Sequence, residues 1–392
     1  MLKPHFSRFL ASDPERLHFA AHSHHYWPDV TRDAQLEAWD LAAELADGKW
    51  GPFFDGPWKE AHTHVARILG LGDGTSLAFA PNTHELVVRI LSCLPRERPP
   101  RILTTDGEFH SFARQLARLE EDESVQVTRI SAEPFATFVD RFVAAARSDD
   151  YDLLWTSQVF FDSGYAVDVA RLVEALRDHA AAIVVDGYHG FMAIETDLSA
   201  IADRAFYLAG AYKYAMAGEG ACFLHAPPSF FPRPPNTGWF AAFFAIETAR
   251  GSGPVPYPVD GSRFLGATFD PTAIFRFNAV QRFLLRESVS VKSIAAHAHA
   301  LQRRFAFGLA ASTASATFSA SDLVVPLDEP RRGAFLTFRR PAEEAKRLHD
   351  LLAAAKIVTD VRGDRLRFGF GPYHDEADVD RGVERIAALL SR

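Results

Sequence analysis

Short apolar runs recur from Ser76 to Leu224, separated by amphipathic stretches, and this alternation leaves few folds open to the chain. The runs lie at residues 76–80, 101–105, 125–130, 151–157, 181–185, 205–208 and 221–224. Runs of this length with apolar residues on both faces read as strands buried in a parallel sheet. Helical spacing at 29–45, 58–71, 86–94, 134–145 and 169–179 supplies the segments between and around them. The repeated order predicts an α/β fold, a mostly parallel sheet in a large domain with helices on both faces.

From residue 271 the pattern changes. Helices at 273–286 and 291–309 lead to strands at 323–326 and 333–338, a helix at 342–355, strands at 358–361 and 366–370, and a closing helix at 376–391. That order predicts a smaller α+β C-terminal domain. The chain therefore divides into an N-terminal segment (1–50), a large domain (51–270) and the small domain (271–392). The stretch 1–30 reads as irregular, and the 1–50 segment is expected to contribute to the small domain and to a substrate entrance.

With 392 residues, 48% of them hydrophobic, the chain has material for a large core. A net charge of -8 gives no global attraction for nucleic acid or anionic membrane. The stretch from Met1 to Ala20 lacks a continuous apolar segment and no apolar run reaches spanning length, so neither a signal peptide nor a membrane anchor is expected. Two cysteines, Cys93 and Cys222, are too few for a disulfide framework, and a cytoplasmic location is expected. The cluster His22, His24 and His25 matches no helical or finger spacing and has no cysteine or carboxylate cluster beside it, so no metal is expected.

One ionisable residue stands apart. Between Phe206 and Gly218 the titratable side chains are Lys213 and the tyrosines Tyr207, Tyr212 and Tyr214. A buried ammonium without a partner costs several kcal/mol or loses its proton, whereas a surface lysine would snorkel out to water. The context favours burial: the run 181–185 ends in Asp186, at the carboxyl end of a central strand where open α/β sheets bind ligands, and Lys213 follows the next strand about 27 residues later. A carboxylate that keeps a pyridine nitrogen protonated and a lysine that holds an aldehyde are the minimal equipment for pyridoxal phosphate chemistry.

Other candidates sit at strand ends. Asn82 and Thr83, between the strand at 76–80 and the helix at 86–94, offer a helix N-terminus to an anion, or simply cap that helix. Phe109, after the strand at 101–105, could lie flat on a cofactor ring or belong to the core. Residues 236–240 and 264–271 read as loops near the site. Arg367, in the last strand, could fork onto a carboxylate or face water.

These residues carry a resemblance. The chain resembles the fold-type-I pyridoxal phosphate enzymes of the class V aminotransferase superfamily, and within it kynureninase, from about Phe19 to the C-terminus. The matching stretches are Tyr212-Lys213-Tyr214 with Ala217-Gly218-Glu219-Gly220, Asp186 with His189, the segment from Ser157 through Val159, Phe161 and Ser163 to Gly164, and Gly238-Trp239-Phe240. The resemblance implies that Lys213 is the Schiff-base lysine and proton carrier, that Asp186 pairs with the pyridine nitrogen, that His189 lies beside the ring and that Phe109 stacks on it. Asn82 and Thr83, helped by Tyr212, would hold the phosphate. Trp239 and Thr268 match residues that complete the phosphate site from a neighbouring subunit, which implies a homodimer. Arg367 matches the arginine that grips the substrate carboxylate. The chain departs from kynureninase where Ala241-Ala242 replaces Gly-His and His22-Ser23 replaces Asn-Ser.

The implied reaction is hydrolysis of an L-kynurenine-type amino acid to alanine and an anthranilate-type acid, a step of tryptophan catabolism. Lys213 would remove the α-proton, and a tyrosine such as Tyr212 would serve as acid/base when water attacks the γ-carbonyl. The alternatives are a class V aminotransferase or another lyase on the same cofactor site, and a cofactor-free binding protein on this fold. Cys222 in an apolar run and Cys93 in a helix argue against desulfurase chemistry, which needs a cysteine on a mobile polar loop.

Overall fold

The computed structural model describes residues 2–245 and 253–391. The N-terminal segment carries α1 (Ser7–Ser12), β1 (Leu17–His18), α2 (Val30–Leu45), α3 (Trp50–Phe53) and α4 (Lys59–Leu69). The alternating region follows as β2 (Leu77–Ala80), α5 (Thr83–Ser92), β3 (Arg101–Thr105), α6 (His110–Glu121), β4 (Gln126–Ile130), α7 (Phe138–Arg147), β5 (Leu153–Ser157), α8 (Val169–Ala175), β6 (Ala182–Asp186), β7 (Ala205–Gly210) and β8 (Cys222–His225). Beyond it lie α9 (Thr272–Arg286), α10 (Val291–Ala310), β9 (Phe335–Arg339), α11 (Ala342–Ala354), β10 (Ile357–Val358), β11 (Asp360–Arg362), β12 (Arg365–Gly369) and α12 (Glu376–Leu390).

The seven runs of the first half form one sheet in the order β2-β8-β7-β6-β5-β3-β4. Every neighbouring pair is parallel except those of β8, which runs against both β2 and β7. The central strands are buried on both faces, as their unbroken apolar runs demand, with Ile183, Val184 and Val185 at most 1% exposed. Edge strand β4 alternates with polar residues and is mostly open to solvent. Because β5, β6 and β7 run in register, Ser157 lies beside Asp186 and Asp186 beside Leu208, so their carboxyl ends form one rim.

The C-terminal part builds an antiparallel sheet, β11-β12-β9. The chain's beginning joins it: β1 pairs in parallel with β10, and Ala20 bridges to Gly369 at the end of β12. Phe305 of α10 anchors that junction, its ring 5.4 Å from Phe19, 4.9 Å from Phe368 and 5.5 Å from Phe370. Helix α9 packs the other way. Arg276 donates to the carbonyl of Ala217 at 2.8 Å, and Asn278 to that of Pro57 at 2.7 Å. Among the described residues no helix is long and apolar enough to cross a membrane.

Three local expectations are corrected, and one helix is added. Helix α6 has no counterpart among the expected elements, although Phe112, Leu116 and Leu119 stand at helical spacing with Arg114, Arg118, Glu120 and Glu121 off that face. No strand forms at 323–326; Leu323 makes a lone bridge to Phe338, and Pro326 has no N–H with which to extend it. The helix expected to 179 stops at Ala175, beyond which His179 turns back to accept from Ala181 N–H. The stretch 1–30 is not wholly irregular, since α1 and β1 form within it; β1 pairs with β10, and Lys3 reaches Asp375 and Asp378 at 2.9 and 2.7 Å.

Truncating the anchor tests this arrangement. Phe305→Ala should lower stability by about 3–5 kcal/mol, read as a shifted guanidinium midpoint with unchanged slope.

Candidate active site

At the carboxyl rim of the large sheet the strands end in chemistry-bearing residues. Strand β6 delivers Asp186, β5 delivers Ser157, and the turn after β7 delivers Tyr212 and Lys213. Strand β8 runs the opposite way, so its first residue, Cys222, reaches the same rim. A cavity of about 210 Å³ opens there, lined by Asn82, Thr83, Phe109, Ser157, Asp186, Tyr188, His189, Tyr212, Lys213 and Cys222 among others. Of the predicted site residues it thus gathers all but Trp239, Thr268 and Arg367.

Lys213 is the centre of the cavity. It is 3% exposed, and Nζ donates to His189 Nε2 at 2.6 Å. Three aromatic rings surround the amine, with the centres of Tyr188, Phe109 and Tyr212 at 5.1, 5.3 and 5.6 Å. Burial brings its pKa down to about 7, Arg367 pushes the same way and Asp186 opposes. His189, buried beside a cation, is held well below the usual imidazole range and stays neutral, which suits it to accept from the amine.

Asp186 faces the cavity and is otherwise enclosed by protein. Burial raises its pKa, against the Tyr188 N–H that donates to Oδ1 at 2.9 Å and the nearby Lys213. A carboxylate so placed is an acceptor for a protonated ring nitrogen. Across the cavity, Asn82 caps α5 by accepting from Glu85 N–H at 3.0 Å, so plain capping is real here. The capped N-terminus nonetheless opens on the cavity, where its N–H groups and dipole can seat an anion. An aldehyde-reactive amine, a carboxylate for a ring nitrogen and an anion seat on one cavity fit pyridoxal phosphate.

Arg367 lies in β12 of the C-terminal sheet, 2% exposed, and bonds to the Asp360 carboxylate and the Phe161 carbonyl. Among the described residues its Nε has no partner, nor does the hydroxyl of Thr337, paired with it in the β9–β12 ladder. His22, fully buried and stacked on Phe335 at 4.4 Å, has both ring nitrogens unpartnered. The Arg367 guanidinium stands 5.7 Å from the same Phe335 ring. The histidines diverge: His24 stacks on Tyr212, and His25 meets Tyr373 edge-on. Trp239 and Thr268 bond to each other at 2.9 Å, with Trp239 40% exposed, and within one chain they stand apart from the cavity.

Sequence reasoning gave no role to two residues of this rim. Glu108 is buried and accepts from Thr105 and Ser157 hydroxyls at 2.7 Å each and from Ser157 N–H at 3.1 Å. Burial lifts its pKa to about 7 despite those donors. Tyr188 lines the cavity between Asp186 and His189. Their signal was position alone: each immediately neighbours a residue that had been singled out.

Known proteins share this frame. The fold is that of the fold-type-I pyridoxal phosphate enzymes. A cysteine desulfurase from Thermococcus onnurineus NA1 superposes with a TM-score of 0.79 at 18% identity, over 96% of this chain and 95% of that one. A mutant of C-DES, solved with glycine covalently linked to its PLP cofactor, gives 0.78 at 15% identity over 98% of each chain. Residues 294–386, which include Arg367, match the family model of the kynureninase C-terminal domain. Isopenicillin N epimerase of Streptomyces clavuligerus is 29% identical over 202 residues, 50% of this chain and 48% of that protein. The chain thus spans about half the length of this curated relative.

The lysine makes stability depend on pH with a defined sign. Between about 7 and the ordinary 10.5 the unfolded chain holds a proton that the folded amine has lost, so stability rises with pH across that window. Below about 7 the full burial penalty is present. Cofactor-free Lys213→Met should therefore be more stable than the parent at low pH, with the difference shrinking as pH approaches 10.5, as measured by denaturant unfolding at stepped pH.

Proposed function

We propose that this chain is a pyridoxal phosphate-dependent enzyme acting on an amino acid, and that its reaction is kynureninase-type hydrolysis of L-kynurenine or a related aromatic γ-keto amino acid to alanine and an anthranilate-type acid. The observation that carries the cofactor is the buried Lys213 amine sharing one cavity with the Asp186 carboxylate. The substrate reading rests on the kynureninase C-terminal match over 294–386, the region that supplies Arg367.

Bound pyridoxal phosphate supplies an electron sink beside the substrate α-carbon. The chain's residues do the rest. Lys213 Nζ, neutral in part at neutral pH, is the group that takes and returns a proton, and its hydrogen bond to His189 sets its direction. Asp186 holds the proton on the ring nitrogen. Phe109 and Tyr188 wall the ring space, while α5, with Asn82 and Thr83, binds the phosphate. Arg367 Nε, the Thr337 hydroxyl and His22 are unpartnered polar groups on the small-domain side, which supports a substrate carboxylate being received there. Tyr212 keeps its proton, since burial raises its phenol, and is the nearby acid when water attacks the carbonyl.

Desulfurase chemistry finds no support, because burial pushes both Cys93 and Cys222 up to about 12 and neither supplies a thiolate. Both thiols are free, which suits a reducing cytoplasm. The exposed Trp239–Thr268 pair supports a homodimer in which each chain completes its partner's phosphate site. One observation favours a second reading, transamination or another reaction at the α-carbon: the curated match over half the chain is to an epimerase.

Product analysis separates these readings. The protein loaded with pyridoxal phosphate should convert kynurenine to alanine and an anthranilate; amino-group exchange with a keto acid, and no anthranilate, would replace hydrolysis by transamination. Lys213→Ala should abolish turnover and the visible absorbance of lysine-bound cofactor. Arg367→Lys keeps a cation opposite Asp360 but loses the fork. It should lower kcat/KM about 100-fold with the cofactor spectrum intact, and unchanged kinetics would remove Arg367 from the substrate.

A further inference from the structure

The cavity contains a phenol whose hydroxyl none of the roles above uses. Tyr188 is 9% exposed, its backbone N–H is committed to Asp186, and its ring lies 4.8 Å from that of Tyr212. Among the described residues its hydroxyl meets only the thiol of Cys222, at 3.6 Å. A thiol is a weak partner, so a buried phenol left with it alone has hydrogen-bonding capacity to spare.

The fold makes deliberate room for that hydroxyl. Strand β7 ends in Gly210, where a Cβ would stand 2.3 Å from the Tyr188 oxygen and 2.4 Å from Cys222 Sγ. Any side chain at 210 would take the place the phenol now holds. Thr83, in the first turn of α5, lines the same cavity as Tyr188 and Cys222, so the phenol oxygen stands at the end of β7 on the cavity onto which α5 opens. That turn is where the cavity offers its anion seat. Asn82 adds little to it through its side-chain oxygen, which is occupied by Glu85 N–H and cannot donate. Burial also raises the phenol's pKa well above its ordinary value, so the hydroxyl keeps its hydrogen and can give it to an oxyanion.

We propose that Tyr188 is a phosphate ligand of the cofactor site, reaching across the gap left by Gly210 to donate its hydroxyl hydrogen to a phosphate oxygen seated on the N-terminus of α5. This assignment rests on the pyridoxal phosphate reading and adds a residue to it. Tyr188 then does two jobs from one position: its backbone steadies the carboxylate at the ring nitrogen, and its side chain holds the phosphate at the opposite end.

The experiment compares two aldehydes that differ only in the phosphate. Pyridoxal phosphate and pyridoxal are titrated into cofactor-free full-length protein, parent and Tyr188→Phe, with visible absorbance as readout and a thermal melt to verify folding. Loss of one charge-assisted hydrogen bond should weaken pyridoxal phosphate about 10- to 100-fold in Tyr188→Phe and leave pyridoxal unchanged. Gly210→Ala, which displaces the hydroxyl without removing it, should show the same selective loss. Equal affinity of parent and Tyr188→Phe for pyridoxal phosphate, or an equal loss for both aldehydes, would overturn the assignment while leaving the cofactor reading intact. A parent protein that takes up neither aldehyde would overturn the cofactor reading, and the assignment with it.

Discussion

Everything at the rim of the large sheet follows from one amine kept away from water. The Lys213 nitrogen gives up most of its hydration for a neutral imidazole and three aromatic faces. None of these replaces a full counter-ion, so the amine's proton is loosely held and its lone pair is within reach near neutral pH. A better-solvated lysine would be an inert cation. The hydrophobic strands on either side are therefore part of the chemistry as well as part of the core.

The same low-polarity rim also gathers acids. Asp186 and Glu108 are both raised by burial, and the field of one disfavours ionisation of the other. Glu108 is surrounded by three donors from Thr105 and Ser157, whereas among the described residues Asp186 accepts one backbone N–H, with Lys213 nearby and the cavity in front of it. The asymmetry matters: one acid is satisfied by protein, and the other is left needing a positive partner from outside.

Much of this was legible before any coordinates. Apolar runs with β-branched residues, such as 181–185, could only be interior strands, and their order placed Asp186 and Lys213 on adjacent strand ends. What escaped had weak local signals. Helix α6 is the exception, its stripe of Phe112, Leu116 and Leu119 being plain in the sequence, whereas the break in pattern at Pro326 showed less in one dimension than in a ladder that needs its N–H. Trp239 and Thr268 could be paired through resemblance, but their exposed bond to each other emerges only in three dimensions. Tyr188 was invisible because its meaning depends on an absence, the missing side chain at Gly210 on another strand.

The joining of the two chain ends has a consequence for how the site comes into being. Among the described residues β1 pairs with β10 and Ala20 bridges to Gly369, so the segment bearing His22 is anchored on the C-terminal sheet by residues that follow it far along the chain. The cofactor half, from β2 to β8, needs no such delay. During synthesis on the ribosome the large sheet can collapse first, exposing its reactive amine before the arginine from β12 arrives. Joining of β1 to the C-terminal sheet is then a late docking event between segments far apart along the chain, after the large sheet has formed.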